Sequence, residues 1–160
     1  MDKIVVYYSL EGNTRFIAEC IGEHFDVDFQ ELKPVKELSK VEPIKHIWGG
    51  KQVMMRESPK LKEYNFDLHK YDLIFLGTPV WSFNFSPPIR SFLKENSISG
   101  KNIVLFCTHM GMPGKTLRNL EKELAGNNIK GAFDYKNVLK NKEKVKKKLH
   151  EDLSKLEGKF

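Results

Sequence analysis

The sequence has too few cysteines for a disulfide framework and no apolar run long enough to cross a bilayer. Only Cys20 and Cys107 occur in 160 residues, and they have neither disulfide-framework nor metal-ligand spacing. No stretch approaches the roughly 18 consecutive apolar residues of a transmembrane helix. Met1 and Asp2 lead straight into a strand, without the basic and apolar regions of a secretory signal. We therefore expect a cytoplasmic protein with reduced cysteines, no membrane segment and no metal site.

The sequence also lacks an internal repeat, a linker and an evenly spread excess of one charge. Its length and its 40% apolar content predict one domain over residues 1–160. The net charge of +6 is concentrated at the end of the chain, where residues 136–160 hold nine lysines and four acids. In that segment Val145, Leu149 and Leu153 recur at helical spacing with lysines around them, which indicates a solvated face of a packed helix. We therefore expect no nucleic-acid partner.

Apolar runs alternate with helical patterns along the chain. Residues 3–8, 71–77 and 102–107 are nearly continuous apolar runs, typical of strands buried on both faces. The strictly alternating residues 27–32 and the weaker strand 129–135 are expected at the two edges. Helices are predicted at 13–25, 89–96, 115–124 and 142–157, with short helices near 35–38 and 51–56 and loops at 78–88 and 108–114. This pattern predicts a doubly wound α/β fold with three α/β/α layers and a five-stranded parallel sheet of order 2-1-3-4-5.

The turn after the first strand carries the chemistry of a phosphate cradle. It reads Ser9-Leu10-Glu11-Gly12-Asn13-Thr14 and leads directly into a helix. A helix N-terminus offers unpaired N–H groups and partial positive charge, and Ser9 and Thr14 add hydroxyls. No lysine follows the glycine, so a nucleoside-triphosphatase loop is a poor interpretation. The turn favours a phosphate monoester held by hydrogen bonds, although Ser9 and Thr14 could also be simple helix caps.

Two stretches in register resemble the flavodoxin family over essentially the whole chain. The first is the turn at residues 9–14. The second is Tyr71-Asp72-Leu73-Ile74-Phe75-Leu76-Gly77-Thr78-Pro79-Val80-Trp81, followed by Pro87-Pro88-Ile89 at the next helix. The resemblance implies non-covalently bound FMN, with its phosphate on residues 9–14 and its ring between two flavin loops. The first flavin loop would comprise Thr78, Pro79, Val80, Trp81, Ser82 and Phe83. The second would contribute Thr108, His109, Met110, Gly111 and Gly114.

Several of these residues allow a second interpretation. Trp81 matches the aromatic position that stacks on the flavin, but it could belong to the core. Trp48 could wall the flavin site or anchor its own loop. His109 could stabilise the reduced flavin by protonation or could be an ordinary loop histidine. Met110 and Met112 could cover the ring or simply pack, whereas Cys107 is expected to be a small buried apolar residue.

The second flavin loop differs from that of better-known flavodoxins. Residues 108–115 lack the usual stacking tyrosine and contain no acid, and the acidic surface of electron-carrier flavodoxins is also missing. We therefore expect a less negative reduction potential, with His109 contributing to its pH dependence. The leading hypothesis is an electron carrier with no catalytic acid or base, serving a redox partner protein or a small electron acceptor as a monomer or homodimer. An NAD(P)H-dependent flavin or quinone oxidoreductase and an FMN-binding domain of a larger complex are the alternatives.

Overall fold

The computed structural model describes residues 1–37, 50–51 and 56–159, and a parallel β-sheet forms its centre. The parallel strands are β1 (Lys3–Tyr7), β2 (Asp28–Glu31), β3 (Leu73–Trp81), β5 (Asn102–His109) and β6 (Asn128–Lys136). A further short strand, β4 (Asn84–Phe85), pairs antiparallel with the end of β3. The order across the sheet is β2-β1-β3-β5-β6 with β4 attached to β3, which confirms the predicted topology.

Helices cover both faces of the sheet and complete three layers. They are α1 (Asn13–His24), α2 (Pro87–Glu95), α3 (Thr116–Glu123) and α4 (Lys142–Ser154). Helices α1 and α4 share one apolar core, to which Ile17 and Leu149 belong. Helices α2 and α3 pack on the opposite face, where Phe92 and Leu120 belong to a second core. In each helix the buried apolar residues recur every three or four positions, which is why one side of the helix faces the sheet.

The central position of β1 follows from its residue types. Val5 and Val6 point to opposite faces of the sheet, and both are fully buried. In the register Val5 lies between Phe29 of β2 and Phe75 of β3. Strand order therefore reverses between β1 and β3, and a cleft is expected beyond the carboxyl ends of the strands at that point.

Two strands extend further than the sequence predicted. Strand β3 continues through Trp81 and turns back into β4, so the predicted loop 78–88 is partly a hairpin. Strand β5 continues through His109, which shortens the predicted loop 108–114. Both extensions occur because a neighbouring strand remains in register: Pro79 pairs with Thr108, and His109 pairs with Lys136.

The segment between β2 and β3 is described only in part. Pro34 forms an isolated antiparallel bridge with Leu61, and the Val35 N–H donates to the Lys60 carbonyl at 2.8 Å. Residues 35–36 form a bend and residue 37 is irregular, so the short helix expected there is wrong for that portion. Leu38, residues 52–55 of the other predicted short helix, and Trp48 lie outside the described residues. A 3-10 turn at Leu68–Lys70 precedes β3 and was not predicted.

No described helix is both long enough and apolar enough to cross a membrane.

Candidate functional site

A cleft opens where the segments following β1, β3 and β5 meet. Its walls come from the turn after β1, the end of β3 with its hairpin, and the end of β5. The lining residues are Ser9, Leu10, Glu11, Asn13, Thr14, Gly50, Pro79, Val80, Trp81, Ser82, Thr108, His109 and Met110. The parallel sheet brings these three segments together because the carboxyl ends of all its strands lie at one edge.

Ser9 organises the turn between β1 and α1. Its Oγ accepts hydrogen bonds from the N–H groups of Gly12 at 3.1 Å and Arg15 at 3.2 Å. The two accepted bonds occupy the oxygen lone pairs, so the Ser9 hydroxyl proton is free to donate to a group in the cleft. Gly12 has φ 92°, a left-handed conformation that glycine adopts without a steric penalty.

The first turn of α1 presents further donors to the cleft. The first intrahelical bond runs from the Phe16 N–H to the Gly12 carbonyl at 3.0 Å. No acceptor within the described residues pairs with the N–H groups of Asn13 and Thr14. Two backbone donors, the helix dipole and the Ser9 hydroxyl therefore form a set that suits an anion.

Thr14 and Asn13 also tie the turn to distant parts of the chain. Thr14 Oγ1 lies 2.9 Å from Thr108 Oγ1, and either hydroxyl can donate in this buried pair. The Leu139 N–H donates to Asn13 Oδ1 at 3.2 Å. The shape of the turn thus depends on β5 and on the segment that precedes α4.

Trp81 forms one wall of the cleft and packs against Tyr8. Their ring centroids lie 5.6 Å apart with the planes at 86°, an edge-to-face arrangement. The Tyr8 hydroxyl donates to Glu37 Oε1 at 2.6 Å, and burial raises the pKa of Tyr8 above its usual range. Trp81 is only partly buried. It contacts the core residue Tyr8 and also lines the cleft, so both interpretations of this residue apply.

The hairpin turn beside Trp81 has a strained backbone. Ser82 and Phe83 have φ of 47° and 60°, the left-handed values that two-residue hairpin turns require and that Asn-Gly usually supplies. The Phe83 carbonyl accepts the Lys115 N–H at 3.1 Å. A Cβ at Gly114 would lie 2.5 Å from Phe83 Cβ, so only glycine allows the two flavin loops to approach this closely. The strained turn is held in place by the second loop.

His109 contacts an acid that its own loop does not contain. His109 Nε2 lies 2.9 Å from Asp134 Oδ2 on β6, and the imidazole side chain is only 5% exposed. His109 Nδ1 is buried and has no hydrogen-bond partner among the residues that the structure describes. Residues 108–115 contain no acid, as expected, but their surroundings do. Asp134 places a carboxylate beside the imidazole ring of His109.

The sequence predicted most of the residues that line this cleft. The predicted residues that do not line it are Gly12, Thr78, Phe83, Gly111 and Gly114. Thr78 is fully buried and donates to Ser86 Oγ at 3.1 Å, so its side chain has a structural role. Phe83 is 64% exposed outside the cleft. Cofactor binding by any of the predicted residues stays a prediction.

Two residues that matter for the cleft were not predicted. Gly50 lines it, and a Cβ there would lie 3.1 Å from Ser82 Oγ. The Gly49-Gly50 pair was the only available signal for this close approach. Asp134 holds His109, but nothing in the sequence distinguished this acid within its strand.

Doubly wound α/β folds bind nucleotides or flavins where the strand order reverses. This chain has such a fold, with a donor-rich cleft at that point. The family model described as Flavodoxin matches residues 2–155. The chain belongs to the flavodoxin family.

Solved structures show the same fold at low sequence identity. A flavoprotein from Lactobacillus acidophilus NCFM in complex with FMN is 24% identical, covers 87% of this chain and 96% of its own, and gives a TM-score of 0.74. Oxidised flavodoxin 2 from Bacillus cereus is 17% identical over 100% of both chains, with a TM-score of 0.61. General stress protein 14 from Treponema denticola in complex with FMN is 12% identical over 98% of both chains, with a TM-score of 0.58. A search of curated proteins found no match.

Proposed function

We propose that this protein binds FMN in the cleft and transfers electrons to a partner protein or a small acceptor. The observation that carries the proposal is the donor set of the turn after β1. The Ser9 hydroxyl and the N–H groups of Asn13 and Thr14 converge at a helix N-terminus without a cationic side chain from the turn facing them. Such a set fits one terminal phosphate monoester. The FMN complexes of the two similar flavoproteins named above support the assignment.

The walls of the cleft suit a flat conjugated ring above that phosphate. Trp81 offers an aromatic side chain on the hairpin side, and His109 and Met110 lie on the side of β5. The ring would gain from stacking and from exclusion of water between these walls. When bound, FMN supplies the electron chemistry by accepting and donating one or two electrons. The residues of the chain bind the phosphate, orient the ring and exclude water.

The charges around His109 set the electrostatic environment of the ring. His109 lines the cleft, and the Asp134 carboxylate lies 2.9 Å from its Nε2. Lys115 lies in the same loop and is exposed. The Lys115 ammonium would favour added negative charge on a neighbouring ring, whereas the Asp134 carboxylate would oppose it. Two opposing charges, rather than a uniformly cationic loop, therefore act on the reduction potential.

A second function, nicotinamide-dependent reduction of an acceptor, is favoured by one observation. The second flavin loop carries no aromatic side chain opposite Trp81, and Met110 and Met112 are 53% and 69% exposed. Exposed thioether side chains in that loop leave room for a nicotinamide to stack on the ring. Oxidation of NADH and NADPH by the FMN-loaded protein distinguishes the two functions. Rapid turnover with a quinone acceptor identifies the reductase, and its absence supports the carrier.

The cofactor proposal is tested by releasing the ligand from purified protein. Heat denaturation should release one FMN per chain, identified by chromatography against FAD and riboflavin standards. FAD in stoichiometric amount would refute the proposal, and so would apoprotein that binds FMN and riboflavin with equal affinity. We also propose a reducing, cytoplasmic location, which the two buried free cysteines support.

A further inference from the structure

A groove lined by cationic side chains lies away from the cleft, between α2 and α3. The groove is lined by Arg56, Phe85, Arg90, Leu93, Lys94 and Glu123. None of these residues lines the flavin cleft. The groove therefore needs an explanation of its own.

Arg90 carries a buried guanidinium whose contacts among the described residues are an aromatic ring and one carboxylate beyond hydrogen-bond distance. The side chain is only 10% exposed, and its guanidinium carbon lies 4.5 Å from the centre of the Phe85 ring. Among the described residues the nearest carboxylate oxygen, on Glu123, is 3.8 Å from Arg90 Nη1, which is too long for a hydrogen bond. No described residue accepts a hydrogen bond from the guanidinium. A buried guanidinium without hydrogen-bond acceptors lowers the stability of the fold unless a ligand supplies those acceptors.

Two further cations line the same groove as Arg90. Lys94 lies four residues later on α2 and therefore on the same face of the helix. Arg56 lies in the same groove with φ 53°, a conformation that is costly for a residue other than glycine. Burial lowers the pKa of Arg90, the Glu123 charge opposes this fall, and the Arg56 charge adds to it. A strained arginine and a buried arginine of the same charge both lower the stability of the fold. Their presence in one groove therefore indicates a functional role for the groove.

We propose that the groove binds the phosphate group of a phosphate ester. Three cations and the Glu123 carboxylate leave two net positive charges, and a phosphate monoester carries about −1.5 to −2 at neutral pH. The planar guanidinium of Arg90, fixed on the Phe85 ring, can donate two parallel hydrogen bonds to phosphate oxygens. Leu93 and Phe85 supply an apolar surface for the organic part of the ester. A single carboxylate would leave one positive charge in the groove uncompensated.

The binding is measured by NMR on the full chain, with the arginine side-chain Nε–H signals as the readout. Inorganic phosphate and phenyl phosphate are titrated separately, each with and without saturating FMN. We expect a saturable shift of the Arg90 signal that FMN does not abolish, because the turn after β1 is a different site. Tighter binding of phenyl phosphate identifies an ester as the ligand, whereas equal binding identifies free phosphate.

Variants connect the signal to the groove. Arg56 and Glu123 are exposed, so their replacement should leave the fold intact. Arg56→Gln should weaken phosphate binding about tenfold, as expected for the loss of a charge-assisted bond. Glu123→Gln should tighten binding several-fold, because it removes the one acid. Arg118→Gln, which changes an exposed arginine outside the groove, should have no effect.

Three outcomes would overturn the proposal. The first is an Arg90 signal that does not shift saturably with either phosphate. The second is acetate or glutarate binding as tightly as phosphate, which would assign the groove to the carboxylates of a protein partner. The third is Arg118→Gln weakening the binding as much as Arg56→Gln, which would show nonspecific attraction to a basic surface.

Discussion

Replacing Thr14 with valine tests the phosphate assignment most directly. Valine keeps the shape of the side chain and removes the hydroxyl, which is 2.9 Å from Thr108 Oγ1 and borders the cleft. If Thr108 donates within this pair, the Thr14 hydroxyl is free to donate to a phosphate. A hydrogen bond to a charged group is worth about 1.5–3 kcal/mol, so FMN affinity should fall about 10- to 100-fold. Riboflavin affinity should change far less, because riboflavin has no phosphate.

Thr108→Val is the matched control, because it breaks the same bond from the other side. Thr14 and Thr108 are 1% and 2% exposed, so either variant leaves a buried hydroxyl unpaired. Each should lower the free energy of unfolding by about 1–3 kcal/mol. Only Thr14→Val should change the ratio of FMN to riboflavin affinity, measured by fluorescence titration of apoprotein. The reasoning is refuted if Thr14→Val weakens both ligands equally or if Thr108→Val changes the ratio by as much.

Trp81→Ala should increase the fluorescence of bound FMN and weaken its binding by about 1 kcal/mol or more through lost stacking; a variant as dark and as tight as the parent would assign Trp81 to the core alone. Replacing Ser82 and Phe83 with Asn-Gly should raise the free energy of unfolding, measured in urea, by about 1–3 kcal/mol, because both positions have positive φ. An unchanged free energy of unfolding would argue against strain in this turn. Burial raises the pKa of Cys107 to about 12. Above about pH 9 the thiol therefore ionises in the unfolded chain but stays neutral in the folded protein, and the free energy of unfolding should decline between about pH 9 and pH 12. Cys107→Ala should make that decline shallower in denaturant titrations at each pH.

The sheet order could be predicted because each strand carries its position in its residue types. The continuous apolar runs of β1, β3 and β5 can be stable only where helices cover both faces, which places them in the centre. The polar alternation at residues 28–31 fits only an edge, where β2 lies. Strand ends were less predictable, because the extension of β3 to Trp81 depends on pairing with β5 and β4. Composition alone does not report that pairing.

The turn at residues 9–14 could be predicted because its chemistry is local. Ser9, Gly12 and the first turn of α1 are adjacent in sequence, so their geometry follows from the strand–turn–helix pattern. The contact between His109 and Asp134 joins residues 25 positions apart on different strands. Finding it requires the register of β6 on β5, including the irregularity near Val104. The Arg90 groove is hidden for the same reason, because α2, α3 and Arg56 meet only in the folded chain.

The bond between Asn13 and Leu139 has a consequence for the order in which this protein matures. The two residues are 126 positions apart, so the turn, once synthesised, lacks one of its supports until Leu139 has also been translated. A ribosome adding about 5–20 residues per second needs roughly 6–25 seconds to cover that interval. Throughout those seconds the nascent chain exposes the turn without its partner. Acquisition of any ligand there is therefore expected to follow translation rather than accompany it.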